Sequence, residues 1–587
     1  RVGAEVYRSE DGGETWVKTS RDNESIGGGK WYGQIYVDPN DDKVVYVPNV
    51  YLLRSLDGGR TWGRSGPENL APSVHVDHHA IWIDPSNSKR ILLGHDGGLA
   101  QSYDFGATWD AYTNLPLAQY YAVGVDMDEP YNIYGGLQDN GSVKFPSNGL
   151  SGSITTDDWV SVGGGDGMYN VVDPTDSRWL YNSSQHGAIQ RVDQRTGLAR
   201  SIRPRPAAGR PAYRFNWTAP IHISPHNPRI IYIGAQVLLR SLDQGDNWRE
   251  ISPDLTTNDP VKLEGNIEFC TLTTVSESPL EPGLIWTGSD DGVVQVTRNG
   301  GGAWVDVTAA LAMAGAPAEH YVTRVAASRH AAGTAYVTKA GWHRDDYRPF
   351  VFKTEDFGAT WTNVTGDLPE GTVYSLAEDP VRPGLLFVGT ERAVFATLDG
   401  GGSWTTFGSG LPAFALVHDL LIHPRDGDLV VATHGRGVFI TDIAPLREMR
   451  GEFAKASVHL FAVEPAILWT WRRSGVDSWG DRYWTAPNEP TGAAVRYFLR
   501  ADVAQKPKIR ITTPYGEEVA ALEGPASAGI QTVVWDMTRQ TGAPAPEGAG
   551  FRFRRRPMVD PGEYVVILEA GGKTLRQTLV LRPMPER

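Results

Sequence analysis

Along most of the chain, apolar residues come in short alternating or β-branched runs broken by Asp-Pro, Asn and Gly. Residues 80–112 show the unit. AIWID (80–84) reads as a first strand, a Pro-containing turn leads to ILLG (91–94), and a tight glycine turn leads to a third strand ending at Ser102. An Asp-containing turn follows, and Trp109 opens a fourth strand. β-Branched runs bounded by turn residues predict short strands, and the direct return at each turn predicts antiparallel pairing. Helical periodicity is confined to 308–315 (TAALAMAG), a single short insertion.

The turn repeats. Ser/Thr-x-Asp/Asn-x-Gly-x-x-Trp runs from Ser9 to Trp16, Ser55 to Trp62, Ser102 to Trp109, Ser241 to Trp248, Thr297 to Trp304, Thr354 to Trp361 and Thr397 to Trp404. Between Asp104 and Asp243, YYAVGVDMDEPYNIYGGLQDNGSV and MYNVVDPTDSRWLYNSSQHGAIQRV keep the strand pattern and lose the Trp turn. A period of roughly 40–50 residues marks a propeller or a similar array. The turn is the Asp-box, and its chemistry is structural. Ser/Thr and Asp side chains bond backbone N–H groups, Gly supplies positive φ, and Trp wedges between neighbouring blades.

First strands open near Tyr32, Ala80, Tyr121, Tyr169, Pro220, Thr271, Val322, Val373 and His418, and residues 3–20 supply only the last two strands of another blade. That total exceeds one ring of four to eight blades. The expected division is 1–118 as the last blades of a first, incomplete propeller and 119–448 as a seven-bladed ring, with a missing N-terminal portion completing the first. After about residue 440 the pattern changes. Residues 449–491 read as an aromatic linker holding Trp469, Trp471, Trp479 and Trp484, which either stack on sugars or pin the linker to a blade. Residues 492–587 carry alternating strands (VRYFLRA, KIRITT, TVVWDM, GEYVVILEA, TLRQTLVL) that predict an Ig-like β-sandwich. The fold class is therefore all-β: tandem propellers and a sandwich.

Composition narrows the function. The 587 residues carry a net charge of −14 with 40% hydrophobic residues, which argues against a nucleic-acid partner held through phosphates. The one cysteine, Cys270, excludes an intrachain disulfide, and no apolar stretch is long enough to form a transmembrane helix.

The units HDGGLAQSYDFGATW, GLQDNGS, SPDLTTNDP, GSDDGVVQVTRNGG and ATHGRGVFI resemble a bacterial and archaeal family usually labelled "glycosyl hydrolase, BNR repeat" or sortilin-like. That resemblance implies export, tandem seven-bladed propellers, and a polysaccharide or peptide ligand. In xyloglucanases a carboxylate pair lies between two propellers. By that likeness Asp96 is the base candidate on the first ring, and Asp139, Asp166, Asp290 and Asp291 are partners on the second.

In a propeller, the turn between strands two and three lies at the opposite end from the Asp-box turn. Those turns hold Asp96, Asp139, Asp166, Asp290 and Asp291 together with the binding candidates His186, Glu391, His434 and Arg436; His418 comes from a strand start. Two-carboxylate hydrolysis needs acids about 5–5.5 or 6.5–9.5 Å apart. The plain alternative is that Asp and Asn are simply common in tight turns. A second cluster holds four of the 14 histidines, His75, His78, His79 and His95. If Ile83 faces Ile91, His79 faces His95, and with His75 and Asp77 the set suits a divalent metal. A hydrogen-bonded polar plug is the other reading. Hydrolase, non-catalytic peptide- or glycan-binding scaffold, and envelope assembly subunit all remain open, each in an extracytoplasmic setting.

Overall fold

The computed structural model describes residues 5–20, 31–62, 69–265, 268–472, 480–540 and 557–585. The chain forms two compact units, 1–117 with 476–485, and 118–475 with 486–587.

In the first unit the hairpin Tyr7–Arg8/Val17–Lys18 precedes a three-stranded sheet (Tyr36–Asp38, Asp41–Val47, Leu53–Ser55) and a four-stranded one (His78–Asp84, Asn87–His95, Gly98–Ser102, Asp110–Tyr112), all antiparallel. The two larger sheets face each other through Tyr46, Leu52, Ile81, Ile83, Ile91, Leu93 and Ala100. Strand alternation sends these side chains to one face, which is the condition for stacking blade on blade.

The second unit holds the ring. Among the described residues, seven antiparallel sheets follow one another, with first strands Tyr120–Val125, Asn170–Val172, Ile221–Ile223, Leu272–Glu277, Tyr321–Ala327, Val373–Glu378 and Val417–Ile422. Six are four-stranded and the seventh is three-stranded. The seventh blade packs back on the first: Val430 and Ala432 share a core with Tyr120, Val123 and Ile133. Gly435 donates its N–H to Ala118 O at 2.8 Å and Val123 donates to the Asp419 carboxylate at 3.1 Å. Radial stacking leaves only short, protected strand edges at the centre. The two units without the Trp turn are full blades; in the first, Phe145 stacks on Trp159 at 4.9 Å.

The repeated turn is held locally. At 241–248, Ser241 Oγ donates to Asp243 at 2.8 Å, and Gly245 (φ +90) donates its N–H to Ser241 Oγ at 2.8 Å. Asn247 N–H donates to Asp243 at 2.8 Å. The Asn247 side chain and N–H hold the Asp243 carboxyl down to about 2. The indoles reach the preceding blade: Trp248 Nε1 donates to Ile202 O at 2.7 Å, Trp304 to Ile251 O at 2.9 Å and Trp404 to Val364 O at 3.2 Å.

The tail begins earlier than strand alternation predicts. A three-stranded sheet (Val458–Leu460, Ala493–Leu499, Gly529–Trp535) and a five-stranded sheet share one core that includes Val495, Tyr497, Ile511, Trp535, Leu568 and Leu579. Ala466–Leu468 lies parallel to Lys573–Pro583 at the edge of the second sheet. Two strands thus come from the stretch expected to be a linker; each is only three residues long, too short to show a period. Farther along, Asn488 exchanges two 2.8 Å hydrogen bonds with the backbone of Gly149 in the first blade. Trp479 lies outside the described residues.

Candidate functional site at the mouth of the ring

At the end of each blade opposite the repeated turns, the loops joining strands two and three meet the starts of the first strands. The first blade holds Asp139 in the left-handed region (φ 59), at the tip of its turn. Asp166, just before the second blade, is buried and accepts 2.8 Å from Gln185 Nε2. Asp139 lies within hydrogen-bonding reach of it. Burial and then the Asp139 charge push the Asp166 carboxyl up to about 6. Asp139 and Asp166 thus come together at the mouth from two different blades.

The other acids do different work. Asp290 is buried, accepts from Thr271 N–H at 2.9 Å and Asn216 Nδ2 at 3.3 Å, and is pushed up to about 6, chiefly by burial. Asp291 is buried and takes Thr257 N–H at 2.8 Å and its hydroxyl at 2.6 Å. Both tie turns to neighbouring loops. Asp96 belongs to the first unit and pairs with His79 at 2.9 Å. Glu391 faces Arg392 at 3.6 Å, and Arg436 is exposed.

Aromatic side chains that the sequence reading passed over link these positions. Tyr321 and Trp342 (fifth blade) have ring centroids 5.4 Å apart, and Trp342 stacks on Tyr374 (sixth) at 5.4 Å. Tyr374 stacks on His418 (seventh) at 5.7 Å, and His418 lies 5.5 Å from His434. His434 lies 5.4 Å from Tyr121 (first). The Tyr121 hydroxyl accepts 3.4 Å from Trp217 Nε1, and Trp217 meets His186 edge-on at 4.9 Å. The signal was present in the sequence: Tyr121, Tyr169, Tyr321 and Tyr374 all stand at or beside the start of a first strand. Burial, and then the neighbouring His434, hold His418 down to about 4, and burial lowers the proton affinity of His434. His434 Nδ1 lies 3.2 Å from Tyr120 O and its Nε2 lies 3.1 Å from the Gln138 side-chain amide. His186 Nδ1 stands 3.1 Å from the Glu268 carboxylate.

Beneath the belt, Arg324 of the fifth blade is ion-paired with Asp419 of the seventh. Asp419 also accepts Val123 N–H of the first blade, and the Tyr169 hydroxyl of the second lies beside the guanidinium. Four blades are thus tied together across the axis, and the pair forms the floor of the mouth.

The histidine cluster differs from its prediction. The register is His78↔His95 and Ala80↔Gly94, with a bulge between them. The extra residue turns His79 away from His95 toward Asp96, where it stacks on Tyr32 at 5.3 Å. Asp77 takes the Tyr32 hydroxyl, and His75 Nδ1 lies 2.8 Å from Val76 O. His75 stays stacked on His95, with ring centroids 6.2 Å apart, while Asp77 and His79 turn to other partners, and among the described residues no three His, Cys, Asp or Glu side chains are arranged as metal ligands. His78 takes the place assigned to His79: it is fully buried, 6.2 Å from the His95 ring, and burial lowers its proton affinity.

Carboxylates within hydrogen-bonding reach of each other leave no room for a sugar between them, which the two-carboxylate mechanisms require. Flat, half-buried rings flanked by amide and carboxylate groups suit a ligand with both apolar and hydroxyl faces.

No protein-family model matches the chain, and none of the curated proteins compared with it does. Among solved structures, the chain is similar to the GH74 enzyme of Niastella koreensis at 13% identity, over 90% of this chain and 86% of that one, with a TM-score of 0.25. It is similar to the β-propeller domain of Cps50 (Swd1) from Myceliophteria thermophila at 12% identity, over 55% of this chain and 97% of that one, with a TM-score of 0.39.

Proposed function

We propose that the mouth of the seven-bladed ring is a recognition site for a glycan. The observation that carries this reading is the continuous belt Tyr321–Trp342–Tyr374–His418–His434–Tyr121, flanked by the Asp139/Asp166 couple. Ring faces pack against the C–H faces of sugars, while Asp166, Asp139, Gln138 and Gln185 exchange hydrogen bonds with hydroxyls. The imidazoles, whose proton affinity burial lowers, add hydrogen-bonding groups to the belt. The reading carries with it an extracytoplasmic location, where polymeric glycans are met.

The test is affinity electrophoresis and calorimetry on a panel of soluble polysaccharides, with reducing-end release measured in parallel. At least one polysaccharide is retarded, without release of reducing ends, and Trp342→Ala and Tyr374→Ala each weaken it by roughly tenfold, the scale of a lost stacking contact. Undiminished binding by both variants, or binding of peptides in place of every glycan, overturns the reading.

A further inference from the structure

Away from the mouth, a cleft of about 570 Å³ lies between the sixth blade and the segment that leads into the sandwich. Its lining includes Arg382, Arg447, Glu448, Arg450, Phe453 and His459. Arg382 comes from the turn between the strands Val373–Glu378 and Leu386–Thr390. Arg447 and Glu448 close the short helix Ala444–Glu448, and Arg450 follows two residues later. His459 stands on the first strand of the sandwich, Val458–Leu460.

Among the described residues, the charges in this cleft do not cancel. Arg447 is satisfied, with Nε 2.9 Å and Nη2 2.8 Å from the fully buried Asp379 carboxylate. Asp379 in turn accepts the N–H groups of Val381 at 3.0 Å and Arg382 at 2.6 Å. Glu448 is satisfied as well, 2.9 Å from His459 Nε2 and accepting Ala462 N–H at 2.8 Å. Arg382 is buried, and its guanidinium hydrogen bonds go to carbonyl oxygens, those of Leu398 at 3.2 Å and of Leu446. Arg450 sits at the exposed lip, and among the described residues its guanidinium has no hydrogen-bond or ion-pair partner. Both arginines line the cleft, and burial and then the charge of Arg450 lower the proton affinity of Arg382.

Two guanidiniums sharing a cleft, one of them desolvated and neither opposed by a carboxylate of its own among the described residues, cost free energy that an anion recovers. The planar fork of arginine matches oxyanions in geometry as well as charge. The volume exceeds what a bare ion fills and falls within the roughly 300–1,000 Å³ of small-ligand sites. Phe453, packed at 5.4 Å against His459 and 4.8 Å against Phe498, supplies an apolar wall.

We propose that this cleft is a binding site for a small organic oxyanion, a phosphate ester or a sugar acid, whose anionic group is held between Arg450 and Arg382 while its body rests against Phe453. The site is separate from the mouth and does not depend on the glycan reading.

The experiment uses the full chain, with glucose 6-phosphate and glucuronate as probes, glucose as the neutral control and potassium chloride matching ionic strength. Calorimetry and thermal unfolding are followed for the wild type, Arg450→Gln and Arg450→Lys. Arg450 makes no contact that the fold depends on, so both variants keep the wild-type unfolding temperature without ligand. Saturable binding of one probe and not of glucose, weakened roughly tenfold or more in Arg450→Gln and partly restored in Arg450→Lys, is the expected result. Which probe binds distinguishes the phosphate from the carboxylate. Equal responses of wild type and Arg450→Gln, equal binding of glucose, or no saturable binding of either anion overturns the proposal.

Discussion

The ion pair at the floor of the mouth gives the sharpest test of the ring. Arg324 and Asp419 lie 95 residues apart in the chain and meet only because the ring closes. Their side chains are 22% and 7% exposed, so water does little to screen them. Replacing Asp419 with Asn removes the counter-charge and leaves the guanidinium buried opposite a neutral amide. It also weakens the acceptor for Val123 N–H (3.1 Å) and Leu420 N–H (2.9 Å). Breaking a buried pair from one side costs about 3–5 kcal/mol, because a charge is left uncompensated. Replacing both partners, as in Arg324→Met/Asp419→Leu, removes the stranded charge. It costs far less than the sum of the single changes, with a coupling of about 2 kcal/mol or more. The assay is urea unfolding of the full chain followed by tryptophan fluorescence, completed as a double-mutant cycle. If Asp419→Asn unfolds within about 1 kcal/mol of the wild type, or if the two single changes simply add, the pair is not the buried cross-blade tie described above.

Asp166 predicts a pH dependence. Its folded carboxyl titrates at about 6 against an ordinary value of 3.8, so the folded state holds the proton more tightly than the unfolded state does. Stability from this group is therefore fully present below about pH 4, falls as the pH climbs to about 6, and is level above that. Asp166→Asn removes that slope and gains on the wild type by about 2–3 kcal/mol between pH 4 and pH 8 in denaturant titrations; parallel curves at the two pH values refute the assignment. Trp404 tests the wedge: it is buried between blades and its indole bonds to Val364 O at 3.2 Å. Trp404→Ala costs about 3–5 kcal/mol, while Trp404→Phe keeps most of the packing and costs about 1–2 kcal/mol in the same unfolding assay. Equal losses in the two variants show that ring volume is not what seats the blade.

The short-range features were legible in the sequence, and the features that depend on chain closure were not. Each Ser/Thr-x-Asp-x-Gly-x-x-Trp turn closes its Ser/Thr and Asp hydrogen bonds within eight residues, as at Ser241 to Trp248, so the turn's geometry follows from side chains adjacent in the chain. Four-stranded antiparallel units follow from those turns and from alternating apolar runs, and the order of units follows from their succession. Even the placement of Asp96 and Trp109 at opposite ends of Gly98–Ser102 needs only the strand order.

The tertiary structure decided which of these residues meet. A single bulge before Ala80 put His78 rather than His79 across from His95, and strand propensity carries no information about where a ladder slips by one residue. Tyr121, Trp217, Trp342 and Tyr374 form one belt because closing the ring brings strand starts from distant parts of the chain to one rim. For the same reason, of five predicted acids in look-alike turns, Asp139 and Asp166 became a couple while Asp290 and Asp291 were tied into neighbouring loops. Residue type set what each side chain was capable of; its neighbours across the ring, fixed by packing over long sequence separations, set what it does.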